Sequence, residues 1–100
     1  MDNRSNHYII REKAEIDLED IYSYTVTRFG EAQAEDYLRG LILAFEGLSS
    51  GQKVARSYEN VGAGLLCYSY QSHLIFFKKI SSSIDILRIL HQSMDIKRHL

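Results

Sequence analysis

The chain lacks the residues that mark disulfide-stapled and metal-binding proteins. Its 100 residues include no proline, no tryptophan and one cysteine, Cys67. A single cysteine cannot form an internal disulfide, and no cluster of zinc ligands surrounds it in the sequence. We therefore expect no disulfide, no metal and no other cofactor, and we expect Cys67 to be a small buried hydrophobic residue.

Long apolar runs are also lacking. No stretch approaches the length that spans a membrane, and no charged-then-apolar leader opens the chain. We expect a cytoplasmic protein without a membrane partner. With 45% hydrophobic and 25% charged residues, the composition is that of a globular protein, and residues 1–100 suffice for one domain but not two.

An excess of charge is lacking too, but the net charge of −1 conceals an asymmetry. Residues 1–50 carry a net charge of −5, whereas residues 51–100 carry +4 and three of the four histidines. A basic half suits an acidic partner, either nucleic acid or an acidic protein segment. Scattered solvated charges would explain the same numbers.

Short runs rich in β-branched and aromatic residues fill the last third of the chain. They cover residues 65–70, 73–80 and 84–91, with polar breaks at residues 71–72 and 81–83. Runs and breaks of these lengths predict a three-stranded antiparallel meander.

The loop lengths predict a register for the meander. A three-residue loop at 81–83 sets Ile80 opposite Ile84 and Lys79 opposite Asp85, and a two-residue loop at 71–72 sets Tyr70 opposite His73. One face then carries Leu66, Tyr68, Ile75, Phe77, Leu87 and Ile89, with Tyr70, His73 and His91 at one end. The other carries Cys67, Leu74, Phe76, Ile86 and Leu90, with Lys78 and Arg88 among them. Both faces are largely apolar, whereas a sheet with one solvated face alternates apolar and polar residues.

Two helices are predicted between a first edge strand at residues 7–11 and the meander. The first begins near Glu12 and ends at Gly30, where we expect a left-handed stop, and the second follows at once, which makes a helical hairpin. The apolar stripes are Ala14, Leu18, Ile21, Tyr22, Thr25 and Phe29, then Ala34, Tyr37, Leu38, Leu41, Phe45 and Leu48. Residues 49–64 form a loop, with a short extended piece at 53–58.

The predicted fold is therefore α+β, with the order β-α-α-β-β-β, a helical hairpin packed on a small antiparallel sheet, and a short C-terminal tail. Two helices cover one face of such a sheet. We expect a partner, a second subunit or the tail to cover the other face, since exposed apolar patches mark interaction sites.

The residues also resemble a known family. The pattern R-I-L-H-x-x-M-D-x-x-R-H-L at residues 88–100 is the most specific part, and the helical stripes and the Gly-Ala-Gly-Leu at 62–65 extend the likeness over nearly the whole chain from Tyr8. The chain resembles the ParE branch of the ParE/RelE toxin superfamily. Members commonly carry a proline soon after the second helix, where this chain has Ser49-Ser50-Gly51, so the resemblance leaves the course of that loop open.

The resemblance implies the toxin of a toxin–antitoxin pair. ParE-like toxins poison DNA gyrase, so that the enzyme stalls on cleaved DNA. Their antitoxins join a DNA-binding ribbon-helix-helix half to a tail that folds on the toxin. We expect a hetero-oligomer with such an antitoxin and no sequence-specific nucleic-acid binding by this chain. The expected antitoxin-binding residues are Leu74, Phe76, Lys78, Ile86, Arg88 and Leu90.

The tail is the predicted contact with the target, because it mixes apolar side chains with cations. The expected target-binding residues are Arg88, Met94, Asp95, Lys97, Arg98 and Leu100. Arg88 stands among apolar residues and needs an acidic partner. An acid of the antitoxin, an acid of gyrase or Asp95 of this chain would serve.

The alternative within the same fold is a RelE-like ribonuclease that cuts messenger RNA on the ribosome. Such chemistry needs a base, a general acid and cations for the phosphorane charge. The candidates are His91, His73 and Tyr70, with Arg88, Lys78 and Arg56 as cations. Arg88 and His91 lie three apart on one strand and should point to opposite faces. The pattern therefore favours a protein inhibitor over an enzyme; an inert relative that only binds its antitoxin is a third possibility.

Overall fold

A computed structural model describes residues 7–100 as two long helices packed on a five-stranded sheet. The elements are β1 (His7–Ile10), α1 (Glu12–Phe29), α2 (Glu31–Ser50), β2 (Arg56–Ser57), β3 (Leu66–Tyr70), β4 (His73–Ile80), β5 (Ser83–His91) and α3 (Ile96–His99). The strand order is β1-β5-β4-β3-β2. The predicted order of elements is confirmed, and β2 falls inside the predicted extended piece.

The pairing of the first strand refines the prediction of an antiparallel sheet. The neighbours β2 to β5 are antiparallel, whereas β1 runs parallel to β5, with Tyr8 opposite Ile84. A parallel neighbour needs a crossover, and the α1–α2 hairpin is part of it. Within residues 7–100, neither long helix has the length and apolarity needed to cross a membrane.

A single residue, Gly30, connects the two helices of the hairpin. Gly30 ends α1 and also precedes the first residue of α2, with φ of 94° and ψ of 168°. The positive φ is as predicted, but ψ lies outside the left-handed helical region, in backbone territory that is essentially restricted to glycine. This conformation allows the second helix to start directly after the first.

The register between β4 and β5 differs from the prediction near their hairpin. Lys78, not Lys79, lies opposite Asp85, because the loop has two residues and Ser81 has a φ of 50°. A β-bulge then adds Leu87 between the residues opposite Phe77 and Phe76. The predicted partners are therefore wrong from Phe77 to Ile80 and correct from His73 to Phe76.

The bulge also exchanges two residues between the faces of the sheet. Ile86 packs under the helices and Leu87 lies on the far side, the reverse of the prediction. The far side holds the second cluster, which consists of Leu65, Cys67, Leu74, Phe76 and Leu90.

The chain itself covers the second cluster. Tyr58 and Val61 of the β2–β3 loop and Ile96 of α3 pack against it, and the ring of Tyr58 meets that of Phe76 edge-on with centroids 5.3 Å apart. The sequence predicts a partner, a second subunit or the tail as the cover of this face. The tail does cover part of it, and so does the β2–β3 loop, which the sequence did not indicate. Cys67 is 1% exposed, as predicted for a small core residue.

The side chain of Tyr70 on β3 reaches α2 at Gly40, in the middle of the helix. A Cβ atom at Gly40 would overlap the hydroxyl of Tyr70 and lie 2.6 Å from Cζ of its ring. The side chain of Tyr70 therefore occupies space that any other residue at position 40 would fill.

Replacing this glycine tests the helix–sheet contact. We expect Gly40→Ala to lower the free energy of unfolding by about 1–3 kcal/mol through overpacking. In a Tyr70→Ala background, the same substitution should instead raise it by about 1 kcal/mol, because alanine is the better helix former. Urea unfolding of the four proteins measures the coupling. Stabilisation by Gly40→Ala alone would contradict the packing described here.

Candidate functional site

The C-terminal segment presents an exposed surface of mixed character. Met94 and Leu100 are each 44% exposed, and the cations Lys97 and Arg98 of α3 also face solvent. The predicted target-binding residues Met94, Asp95, Lys97, Arg98 and Leu100 are thus all exposed, in one short segment. Ile96 differs from them, because it packs inward against the second cluster.

Arg88 is held by the chain itself. Its Nε and Nη2 donate to the two carboxylate oxygens of Asp17 on α1, at 2.8 and 2.9 Å, and its Nη1 donates to the carbonyl oxygen of His99 at 2.7 Å. The bond to Asp17 raises the pKa of Arg88. Within this chain the acid that pairs with Arg88 is Asp17, and not the predicted Asp95.

Asp17 is the residue that the sequence reading missed. It is 9% exposed, and its Oδ2 also accepts a hydrogen bond from the backbone N–H of Ile89 at 2.8 Å. A signal was present, since Asp17 lies three residues after Ala14 and four before Ile21, on the apolar stripe of α1. A carboxylate on a buried stripe needs a cation, and β5 supplies it.

The predicted histidine–tyrosine group does come together. His73 and His91 lie opposite each other on β4 and β5, with ring centroids 5.4 Å apart. Tyr37 of α2 stands between His73 and Tyr70, with centroid distances of 5.5 and 5.2 Å. The sequence predicts Tyr37 only as part of the apolar stripe of α2, and its contacts with His73 and Tyr70 depend on the tertiary structure.

Hydrogen bonds engage one nitrogen of each histidine. The hydroxyl of Tyr37 lies 2.7 Å from Nδ1 of His73, and the hydroxyl of Ser93 lies 2.7 Å from Nδ1 of His91. Burial and the neighbouring His91 lower the pKa of His73 to about 4, whereas burial raises the pKa of Tyr37. Both groups are therefore neutral at pH 7, which leaves no imidazolium at His73 to act as a general acid.

A cavity of about 430 Å³ opens beside the histidine pair. Its lining is mainly apolar and aromatic, with one carboxylate: Asp20, Ile21, Tyr24, Thr25, His73, His91, Ser93 and Met94. No lysine or arginine of residues 7–100 lines it, so this arrangement suits an apolar group of a partner better than a phosphate.

The predicted antitoxin-binding residues are mostly inside the protein. Leu74, Phe76, Ile86 and Leu90 are at most 9% exposed. Ile86 lies under the helices, and the other three belong to the second cluster. A partner would reach the second cluster only if α3 or the β2–β3 loop moved away, while Lys78 is partly exposed. Across the part of the chain described, no three His, Cys, Asp or Glu side chains group as metal ligands do.

Known proteins share both the sequence pattern and the fold. A sequence model of the ParE toxin of type II toxin–antitoxin systems, parDE, matches residues 8–96. The toxin ParE1 of Mycobacterium tuberculosis is 34% identical over 97 residues, which cover 96% of this chain and 99% of that protein. The toxin ParE1 of Caulobacter vibrioides is 34% identical over 93 residues, which cover 93% and 96%.

The structural comparison agrees on the fold. A chain from the chromosomal ParDE toxin–antitoxin system of P. aeruginosa superposes with a TM-score of 0.73 at 22% identity, covering 88% of this chain and 98% of that one. The protein is thus of the class of toxins of type II toxin–antitoxin systems. Within that class, the chain belongs to the ParE toxin family.

The lowered pKa of His73 predicts a pH dependence of stability. The pKa of His73 is about 4 in the folded chain, against an ordinary value of 6.5. At pH values between these two, the unfolded chain binds more protons than the folded chain. The contribution of His73 to the free energy of unfolding is therefore fully present above about pH 6.5. It is lost as the pH falls toward 4, and the loss amounts to up to about 3 kcal/mol. Urea midpoints at pH 7.5, 5.5 and 4.5 measure the loss.

The variant His73→Gln isolates this contribution from that of the carboxylates. Its stability should fall less than that of the wild type over the same pH range, whereas the exposed control His99→Gln should follow the wild type. Parallel pH profiles for His73→Gln and the wild type would contradict the assignment.

Proposed function

We propose that this protein is a gyrase-inhibiting toxin that acts by binding rather than by catalysis, and that a cognate antitoxin with a ribbon-helix-helix domain neutralises it. The observation that carries the proposal is the exposed C-terminal segment, where Met94 and Leu100 flank Lys97 and Arg98. Apolar contacts suit a protein surface, and adjacent cations suit the DNA that gyrase holds.

The histidine–tyrosine group argues for binding rather than for RNA cleavage. His73 is neutral at pH 7 and cannot serve as the general acid, and its Nδ1 is already bonded to Tyr37. The three nitrogens of Arg88 are bonded to Asp17 and His99, so this cation is not available to a phosphorane. The ribosome-dependent nuclease remains the alternative, because Tyr70, His73 and His91 are close together.

Antitoxin binding is the second part of the proposal. The cavity beside His91 has exposed apolar walls at Tyr24 and Met94, of which 59% and 44% are accessible, and one carboxylate at Asp20. An extended antitoxin tail could insert an apolar side chain there without displacing any part of this chain. Binding to Leu74, Phe76 and Leu90 instead would require α3 to leave the second cluster.

Charge reversal in α3 tests the target assignment. We expect Lys97→Glu with Arg98→Glu to raise the toxin concentration that half-inhibits gyrase supercoiling by about tenfold or more, because two favourable contacts become repulsive. The matched control is Arg39→Glu with Lys79→Glu, two exposed cations outside the tail. The control should inhibit as the wild type does.

Induced expression separates the two classes of activity. We expect cleaved-DNA complexes of gyrase and a DNA damage response, without cuts in ribosome-bound transcripts. Transcript cuts without gyrase-linked DNA breaks would overturn the gyrase proposal in favour of the nuclease. Equal inhibition by the tail variant and its control would move the gyrase contact away from α3.

A second substitution pair tests the antitoxin site. We expect Tyr24→Glu to weaken binding of the cognate antitoxin by about tenfold or more, since it places a charge in an apolar contact. Phe29→Glu is the control, because Phe29 lies on the same helix and is also 59% exposed, but does not line the cavity. Isothermal titration calorimetry provides both affinities, and equal losses in the two variants would contradict this site.

A further inference from the structure

The C-terminal segment depends on the sheet for its conformation. α3 has four residues, and isolated helices of this length are not stable in water. Asp95 at its start makes no side-chain capping bond. Among residues 7–100, two contacts attach the helix to the sheet: Ile96 packs against the second cluster, and Nη1 of Arg88 donates to the carbonyl oxygen of His99 at 2.7 Å.

The second contact is directed by a carboxylate on a different element. Asp17 accepts from Nε and Nη2 of Arg88, and these two bonds fix the plane of the guanidinium. The third nitrogen then points at His99. The side chains of Arg88 and Asp17 are only 18% and 10% exposed, so water competes little for the two bonds between them, whereas the bond to His99 is exposed.

Arg88 therefore stands between α1 and the tail. One edge of its guanidinium is bonded to α1, and the remaining nitrogen is bonded to the last turn of α3. Asp17 is itself anchored to β5 through the backbone N–H of Ile89. The four bonds form one connected group that joins helix, strand and tail.

We propose that Asp17 and Arg88 are positioning residues for the target-binding tail. They hold α3 in the orientation in which Lys97, Arg98 and Leu100 meet the target, and Arg88 acts through the backbone of His99 without touching the target. The inference rests on the proposed function, which placed the target contact in α3. It extends that function to a buried carboxylate on α1.

The test is Arg88→Lys in the full chain. A lysine keeps the charge but cannot bond to Asp17 through two nitrogens and to His99 through a third. We expect ¹⁵N relaxation to show residues 96–100 disordered on the nanosecond timescale, where the wild type is ordered. The concentration that half-inhibits gyrase supercoiling should rise about tenfold, as the loss of one charged hydrogen bond implies. Asp17→Asn should cause a smaller change of the same kind.

The control is the same substitution at a second arginine–aspartate pair, which also joins residues distant in the chain. Arg11 donates to Oδ2 of Asp85, with Nη2 at 2.6 Å, and in residues 7–100 it makes no hydrogen bond to the tail. Arg11→Lys should keep residues 96–100 ordered and should inhibit gyrase as the wild type does. Both variants are assayed under conditions where urea unfolding shows them fully folded.

Each outcome decides between the alternatives. An ordered tail in Arg88→Lys overturns the proposal, and so does a disordered tail with unchanged inhibition. Equal loss of inhibition in Arg11→Lys also overturns it, since the effect would then follow general destabilisation. A wild-type protein that leaves gyrase unaffected overturns the proposed function instead, and tail order in the relaxation data still decides whether Arg88 holds α3.

Discussion

A sheet that is apolar on both faces is the constraint on which the rest of this structure depends. The α1–α2 hairpin shields one face, where Phe45, Ile75 and Phe77 are almost completely buried. The opposite face holds the second cluster, and residues 7–100 form no third long helix to lie over it. The β2–β3 loop and Ile96 of α3 cover it instead. The tail therefore has a structural task as well as a proposed functional one.

The two tasks of the tail are divided between its residues. Ile96 faces inward, while Met94, Lys97, Arg98 and Leu100 remain exposed. This division explains why removing the whole tail would not separate target binding from stability: it would uncover the second cluster at the same time. Substitutions of the exposed tail residues that leave Ile96 unchanged alter the proposed target contact without uncovering the second cluster.

Two pairs of buried polar groups limit each other's chemistry. Asp17 and Arg88 satisfy each other at the edge of β5, and removing one partner from such a pair leaves an uncompensated charge. His73 and Tyr37 pair as neutral groups. Two of the candidate catalytic groups, His73 and the guanidinium of Arg88, are thus engaged in structural bonds.

Much of the fold followed from local patterns in the sequence. Apolar spacings of three and four, the single Gly30 between them and the three β-branched runs each report on a few neighbouring residues, and the helical hairpin and the meander they predict are confirmed. The predicted register of β4 and β5 failed near their hairpin, because one residue more or less in a loop shifts every pair of residues that follows. A two-residue loop at Ser81 and a bulge at Leu87 offset each other, so the register was wrong for four residues and right again afterwards.

The sequence by itself determined which elements form and that both faces of the sheet are apolar, because side-chain period and backbone propensity are local properties. Only the tertiary structure decided that Arg88 pairs with Asp17, 71 residues away, and that the tail closes the second cluster. It also decided that His73 is bonded to Tyr37 of α2. These features depend on which surfaces meet once the helices are packed on the sheet, and contacts between residues so distant in the chain leave no periodic trace in the sequence.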